Sequence, residues 1–165
     1  MKKLKRYGLG IVLLLFTGTG FAYGMGYRLL QMATHSSMYP TLKQGTLFIV
    51  QMNPSSIEKG DIVLIDAAFY KTNHPILKRI VGREGDAIEE RLDSIFVNQK
   101  YIKEPYAYFD EPSVGISKTK HWHLRKKEWF VLGDNRNNSV DSRHAQFGLL
   151  PSRAILGKVV LKLKE

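Results

Sequence analysis

The chain has 165 residues, a formal net charge of +10, 44% hydrophobic and 24% charged residues, and no cysteine. That length suits one modest domain plus an accessory segment, and the composition excludes a disordered chain. The lack of cysteine excludes a disulfide framework, a thiol nucleophile and a cysteine-based zinc site.

The first element in chain order is apolar. Lys2, Lys3, Lys5 and Arg6 open the chain, and no charged residue occurs from Tyr7 to Met25. Such a stretch is about the 20 residues that a helix needs to cross a bilayer. Only Arg28 follows it closely, so the positive-inside tendency places residues 1–6 in the cytoplasm. The expectation is a single-pass anchor over 7–29 in the plasma (inner) membrane, with residues 30–165 extracytoplasmic. A cleavable signal peptide is the competing reading, with Ala22-Tyr23-Gly24 as a passable cleavage site. Both readings put the rest of the chain outside the cytoplasm. The remaining basic residues suit anionic lipid headgroups, each worth about 1 kcal/mol near such a surface. They are scattered along strand-like runs without a helix-turn-helix pattern or basic-aromatic repeat, which argues against nucleic acid as a partner.

After Pro40 come short β-branched and aromatic runs separated by turn residues, the pattern of a mainly β domain. The expected strands are Thr46–Met52, Asp61–Asp66, Ile76–Val81, Ala87–Arg91, Ser94–Ile102 with a hairpin bend near Asn98-Gln99, Glu128–Leu132 and Ile155–Leu163. No amphipathic helix and no internal repeat are evident. Residues from about 103 to 127 read as a small insert, with Tyr106–Lys120 as a long surface loop holding Pro112 and Gly115.

Three blocks could carry chemistry. In His35-Ser36-Ser37-Met38-Tyr39-Pro40-Thr41-Leu42 the proline fixes its own φ and biases Tyr39, so Ser37 sits in a defined turn. Its hydroxyl could attack a carbonyl while its backbone N–H steadies the oxyanion; a polar connecting loop is the plainer reading. In Ile76-Leu77-Lys78-Arg79-Ile80-Val81-Gly82, strand alternation puts Lys78 with Ile76, Ile80 and Gly82, and Leu77, Arg79 and Val81 opposite. A lysine on an apolar face is costly unless it is paired or loses its proton, and desolvation lowers its pKa toward that of a general base. A lysine snorkelling to water is the alternative. The third block, Gly133 to Arg143, is dense in small hydrogen-bonding residues. Asp141 and Arg143 can pair and pin it, and Ser139 or Ser142 can bond a neutral amine; a solvated Asx-rich turn is the plainer reading. His121 and His123 would share a strand face, but no third ligand is nearby and no metal is expected.

Together these blocks resemble the conserved boxes of type I signal peptidases, serine proteases with a Ser/Lys dyad. Ser37-Met38-Tyr39-Pro40-Thr41-Leu42 resembles the nucleophile box, and Lys59-Gly60-Asp61-Ile62-Val63 the strand box after it. Lys78-Arg79-Ile80-Val81-Gly82 with Gly85-Asp86 resembles the general-base box. Gly133-Asp134-Asn135-Arg136 and Ser139-Val140-Asp141-Ser142-Arg143 resemble the last. The four stand in family order. The resemblance implies a signal-peptidase-like catalytic β domain behind one transmembrane helix, with an apolar surface against the membrane and no cofactor or metal. It makes Ser37 the nucleophile, Lys78 the general base, Ser139 the residue orienting the lysine amine, and Asp141 and Arg143 supports. The Ser37 backbone N–H would donate to the oxyanion, and Met38, Leu42 and Leu77 would line shallow pockets for small side chains before the cleaved bond. His35 departs from the serine or glycine of many members; its ring either donates to the oxyanion or points away. The glycine after Arg143 comes late, at Gly148, and the insert is short.

The implied activity is removal of signal peptides from exported pre-proteins through an acyl-enzyme. Two alternatives stand beside it: a peptidase dedicated to one pilin-like or conjugation substrate, and a non-catalytic membrane-tethered binding protein. Self-cleaving Ser/Lys repressors would need a DNA-binding segment where this chain is apolar.

Overall fold

The computed structural model describes residues 26–32, 37–70, 72–111 and 119–163. These form β1 (Tyr27–Gln31), β2 (Leu47–Met52), β3 (Ile62–Ile65), β4 (Ile76–Gly82), β5 (Ala87–Arg91), β6 (Ser94–Val97), β7 (Lys100–Tyr101), β8 (Lys120–His123), β9 (Glu128–Leu132), β10 (Leu150–Pro151) and β11 (Ile155–Lys162). Two single turns of 3-10 helix, Ala67–Phe69 and Ser152–Ala154, complete the elements described. The larger sheet runs β1-β2-β11-β3-β4-β9-β10 and the smaller β7-β6-β5-β8. Every pairing between these strands is antiparallel, and an isolated parallel bridge joins Tyr108 to Asn135. The mainly β expectation therefore holds.

Strand alternation sorts the apolar residues into three clusters. On β3 and β4, Val63, Ile65 and Ile80 join Val131, Phe147, Leu150 and Ala154. On the opposite face Leu64 and Leu77 join Met38, Leu42, Phe48 and Val50. The third cluster joins the two sheets: Val81, Phe130 and Leu132 from the larger meet Ile88, Ile95 and Val97 from the smaller. Gly82 lies at this junction. A β-bulge between Ile80 and Gly82 breaks the alternation, so Gly82 does not continue the Lys78 face. It abuts the second sheet instead, where an added Cβ would lie 2.6 Å from Ile88 Cδ1 and 3.2 Å from Phe130 Cβ. The bend expected near Asn98-Gln99 is a two-residue hairpin turn. Both residues have positive φ, 51° and 66°, as a turn matching the strand twist requires.

Several strand ends shift slightly from the sequence reading, and three differences are larger. Tyr27 to Leu29, assigned to the end of the anchor, belong to β1, which pairs with β2 from Tyr27↔Gln51 to Gln31↔Leu47. Leu30 packs on the Met38 cluster beside Met32, which holds this strand on the sheet. The rest of the anchor lies outside the described residues, as does His35. Among the described residues no helix is long and apolar enough to cross a membrane. The insert expected to reach residue 127 stops short of β8, which pairs with β5 from Ala87↔His123 to Glu90↔Lys120. One inward residue, Trp122, secures β8 by packing 4.8 Å from the Phe130 ring. His121 and His123 both line the outer groove beside Glu89, and no metal-holding group of three His, Cys, Asp or Glu occurs among the described residues. The two-residue β10 was not expected at all.

Phe130 is fully buried where the two sheets meet. Truncation to alanine removes its packing on both Trp122 and Ile88 and should cost about 3–5 kcal/mol in denaturant unfolding, since such cavities collapse only in part.

Candidate active site

The turn after residue 36 presents Ser37. The Leu42 N–H donates to the Met38 carbonyl at 2.9 Å, closing the turn, and the Tyr39–Pro40 peptide bond is cis. The Asn135 N–H donates to the Ser37 carbonyl at 2.9 Å, fixing the serine backbone to the segment after β9. Gly133 permits this approach: a Cβ there would lie 2.6 Å from the Ser37 carbonyl oxygen and 2.5 Å from Ser139 Cβ.

Lys78 projects from the middle of β4 with Val63 as its neighbour on β3, and only 4% of it is exposed. Its Nζ lies 2.5 Å from Ser37 Oγ. Burial pulls its pKa down from 10.5 to about 8; Asp141 and Asp134 oppose the shift and Arg143 assists it. At pH 7 about a tenth of the amine is then neutral, whereas an ordinary lysine would hold almost none in that form. A serine hydroxyl in contact with a neutral amine has a base for its proton.

Asp141 and Arg143 pair as expected. Asp141 is fully buried, and Arg143 bonds both its oxygens through Nε at 2.8 Å and NH2 at 2.9 Å. The Gly133 N–H adds a bond at 3.0 Å. Burial pushes the Asp141 carboxyl up, but these donors prevail and hold it below its ordinary value. The Arg143 guanidinium also donates to the Arg136 carbonyl at 2.8 Å, closing the loop on itself.

Two expected roles are not met by the geometry. Ser139 Oγ is buried against Gly133 and makes no hydrogen bond to the Lys78 amine; it lies beside Asp141 and helps to hold that carboxyl down. Met38 and Leu42 are 0% and 1% exposed and Leu77 7%. They form a packed floor with Phe48, Val50 and Leu64 rather than the walls of an open pocket. Ser142, the alternative partner for the amine, instead accepts from the Val131 N–H at 3.0 Å.

A second ion pair, absent from the sequence reading, ties the blocks together. Arg79, next to Lys78 but on the other face of β4, grips the fully buried Asp134 through Nε at 2.8 Å and NH2 at 2.6 Å. Thr41 Oγ1, four residues beyond Ser37, donates to the same carboxylate at 2.5 Å. The nucleophile turn, the base strand and the last block therefore share one carboxylate. The Tyr106 ring covers the Arg79 guanidinium at 4.0 Å. Arg136 makes a further buried pair with Glu104, bonded at 2.8 and 2.7 Å. The signal available in the sequence was charge inside otherwise apolar or tightly bonded segments, not any local spacing.

Replacing Asp134 with alanine leaves Arg79 and Thr41 without their acceptor. The expected loss of unfolding free energy is about 3–5 kcal/mol, as for other broken buried pairs; a loss under about 1 kcal/mol would show that the carboxylate does not hold the three blocks.

The family described as signal peptidase, peptidase S26, matches residues 8–163. A signal peptidase I of Bacillus amyloliquefaciens is 36% identical over 131 residues, covering 74% of this chain and 66% of that protein. Signal peptidase I T of Bacillus subtilis is 34% identical over 131 residues, with the same 74% and 66% coverage. Signal peptidase IB of Staphylococcus aureus is 34% identical over 140 residues, covering 74% and 71%. The chain thus spans 66% of the length of the two Bacillus relatives. The fold is similar to the crystal structure of a signal peptidase I from Enterococcus faecalis, with TM-score 0.52 and 22% identity over 64% of this chain and 98% of that one. With a match that runs through nearly the whole sequence, from the apolar segment to the last strand, the chain belongs to the signal peptidase family, peptidase S26.

Proposed function

We propose that the chain is a membrane-tethered serine endopeptidase that removes signal peptides from exported pre-proteins, using Ser37 as nucleophile and Lys78 as general base. The observation that carries this reading is the 2.5 Å approach of a buried lysine amine to a serine hydroxyl. The Bacillus and Staphylococcus relatives, each a signal peptidase I, support the substrate class.

Neutral Lys78 takes the proton of Ser37 Oγ as the oxygen attacks the carbonyl carbon of the scissile bond. The resulting ammonium returns a proton to the leaving amine, so the mature protein departs and the signal peptide stays esterified to Ser37. Lys78, neutral again, takes a proton from water as the water oxygen attacks the ester; the ammonium then protonates the departing Ser37 Oγ, and the freed peptide loses its acid proton to solvent as a carboxylate. In this reading the Ser37 backbone N–H donates to the oxyanion. Asp141 with Arg143 and Asp134 with Arg79 hold the loop and strand that carry the dyad. On the same reading Ser139, beside Asp141, orients the Lys78 amine once its hydroxyl turns toward it during reaction.

Tethering is supported by the uncharged stretch from Tyr7 to Met25 behind four basic residues. The apolar side chains Leu29, Leu47, Val160 and Leu161 are all exposed on the adjacent strands β1, β2 and β11. Leu29 and Leu161 are both register partners of Ile49, forming an apolar row that suits a lipid surface. In this reading the N-terminus is cytoplasmic and the β domain extracytoplasmic.

Incubation with a pre-protein carrying an alanine-type cleavage site tests the proposal. Ser37→Ala and Lys78→Ala should each abolish cleavage while leaving unfolding cooperative. Lys78→Arg should be equally inactive, because a guanidinium stays protonated. The base works only without its proton, so kcat/KM should rise as pH climbs through about 8 and level off above it. Retained cleavage by Lys78→Ala would exclude the dyad.

A further inference from the structure

A groove of about 490 Å3 reaches the Lys78 side chain from the face of β4 opposite Leu77. Its walls are Ile76, Val140 and the Tyr70 and Phe147 rings, with the exposed Gln146 at the rim. Tyr70 and Phe147 are stacked, their centroids 4.0 Å apart and their planes inclined by 2°. Thr72 also lines the groove, but its hydroxyl already donates to backbone carbonyls of Ala67 and His74, which leaves Tyr70 with the unpaired polar atom. The Tyr70 hydroxyl oxygen is buried and has no hydrogen-bond partner among the described residues. Burial pushes its pKa up to about 12, so it remains a protonated donor. A buried hydroxyl left unpaired is uncommon in a folded protein and calls for a partner supplied from outside.

The direction of proton flow identifies that partner. When the acyl group transfers to Ser37, the departing nitrogen must receive its proton from Lys78 Nζ. That nitrogen belongs to the residue following the cleaved bond, so this residue lies on the Lys78 side of the strand. The opposite face is closed by Met38, Leu42 and Leu77. We propose that the groove of Tyr70, Ile76, Val140 and Phe147 is a specificity subsite for the side chain immediately after the cleaved bond, with the Tyr70 hydroxyl as its hydrogen-bond donor. This rests on the peptidase reading and extends it to the first residue of the mature protein. The apolar walls favour an uncharged side chain, and the hydroxyl favours one with a carbonyl acceptor. A cationic side chain is disfavoured, because Lys78 is itself an ammonium when the nitrogen departs. Tyr70 is thus a specificity residue and takes no part in bond making.

The test compares kcat/KM for peptides differing only in the residue after the bond: glycine, leucine, glutamine or lysine. A control pair differs only before it, alanine against serine. In Tyr70→Phe, which keeps the ring stack, the glutamine-to-leucine ratio should fall about 5–10-fold, the scale of one lost hydrogen bond. In Gln146→Trp, a bulky change on the exposed rim, leucine should lose about 10-fold or more relative to glycine. The alanine-to-serine ratio should stay at the wild-type value in both. Unchanged after-bond ratios in both variants would overturn the subsite, even if overall rates drop. So would a shift confined to the alanine-to-serine pair, which would put the groove on the acyl side. Should Tyr70→Phe fail to fold, the rim variant decides alone. Failure of the peptidase reading is recognisable separately: wild type would cleave none of the peptides, or would cleave them without Ser37.

Discussion

The structure is organised around keeping one amine out of water without giving it a counter-ion. An ammonium in an apolar interior is expensive, and a lysine there either finds a carboxylate or releases its proton. Around Lys78 the nearby carboxylates are already committed. Asp141 is gripped on both oxygens by Arg143, and Asp134 by Arg79. Further out, Glu104 is taken by Arg136. Each of these carboxylates has its own arginine, with Arg143 also 3.8 Å from Glu90, and Lys78 is left facing a hydroxyl. Burial then decides its protonation, pulling the pKa toward about 8 against the weaker attraction of the two acids.

Such an arrangement demands a rigid frame, because a buried charge pair stabilises only when its geometry is held. The central strands of the larger sheet supply it. β4 lies between β3 and β9, so Lys78 and Arg79 are fixed from both sides while facing opposite ways. β9 ends at Leu132, and the next residue, Gly133, lacks a side chain and so lets Ser37 and Ser139 lean onto the strand end. The smaller sheet then seals Phe130 and Leu132 against Ile88 and Ile95. Its role is indirect: it steadies the strand from which the last block emerges.

Most of this frame was legible in the sequence where periodicity was strong. β5 and β9 match the expected spans, and β2, β3, β4, β6 and β11 differ at their ends. Lys78 was legible because a lysine amid alternating apolar residues violates the pattern of a surface strand. Elements that rely on partners were not. β1 merges with the apolar segment before it, β8 shows a single inward residue between histidines, and β10 has two residues. The Asp134 network was hidden for the same reason, since its carboxylate is 93 residues from Thr41 and 55 from Arg79. The resemblance named Ser139 and the apolar trio of Met38, Leu42 and Leu77, but not their state. The hydroxyl does not bond the amine and the trio is packed shut, because side-chain contacts depend on three dimensions rather than on motif identity.

The protonation of Lys78 is the quantity on which the account depends, and it can be observed without any substrate. Selective 13C or 15N labelling of lysine side chains, with Lys78→Met to assign the resonance, would allow an NMR titration of the full-length protein in detergent. A Lys78 midpoint near pH 8 is the outcome that desolvation requires. A midpoint at the ordinary lysine value, near 10.5, would show an amine still in contact with water and would contradict the account.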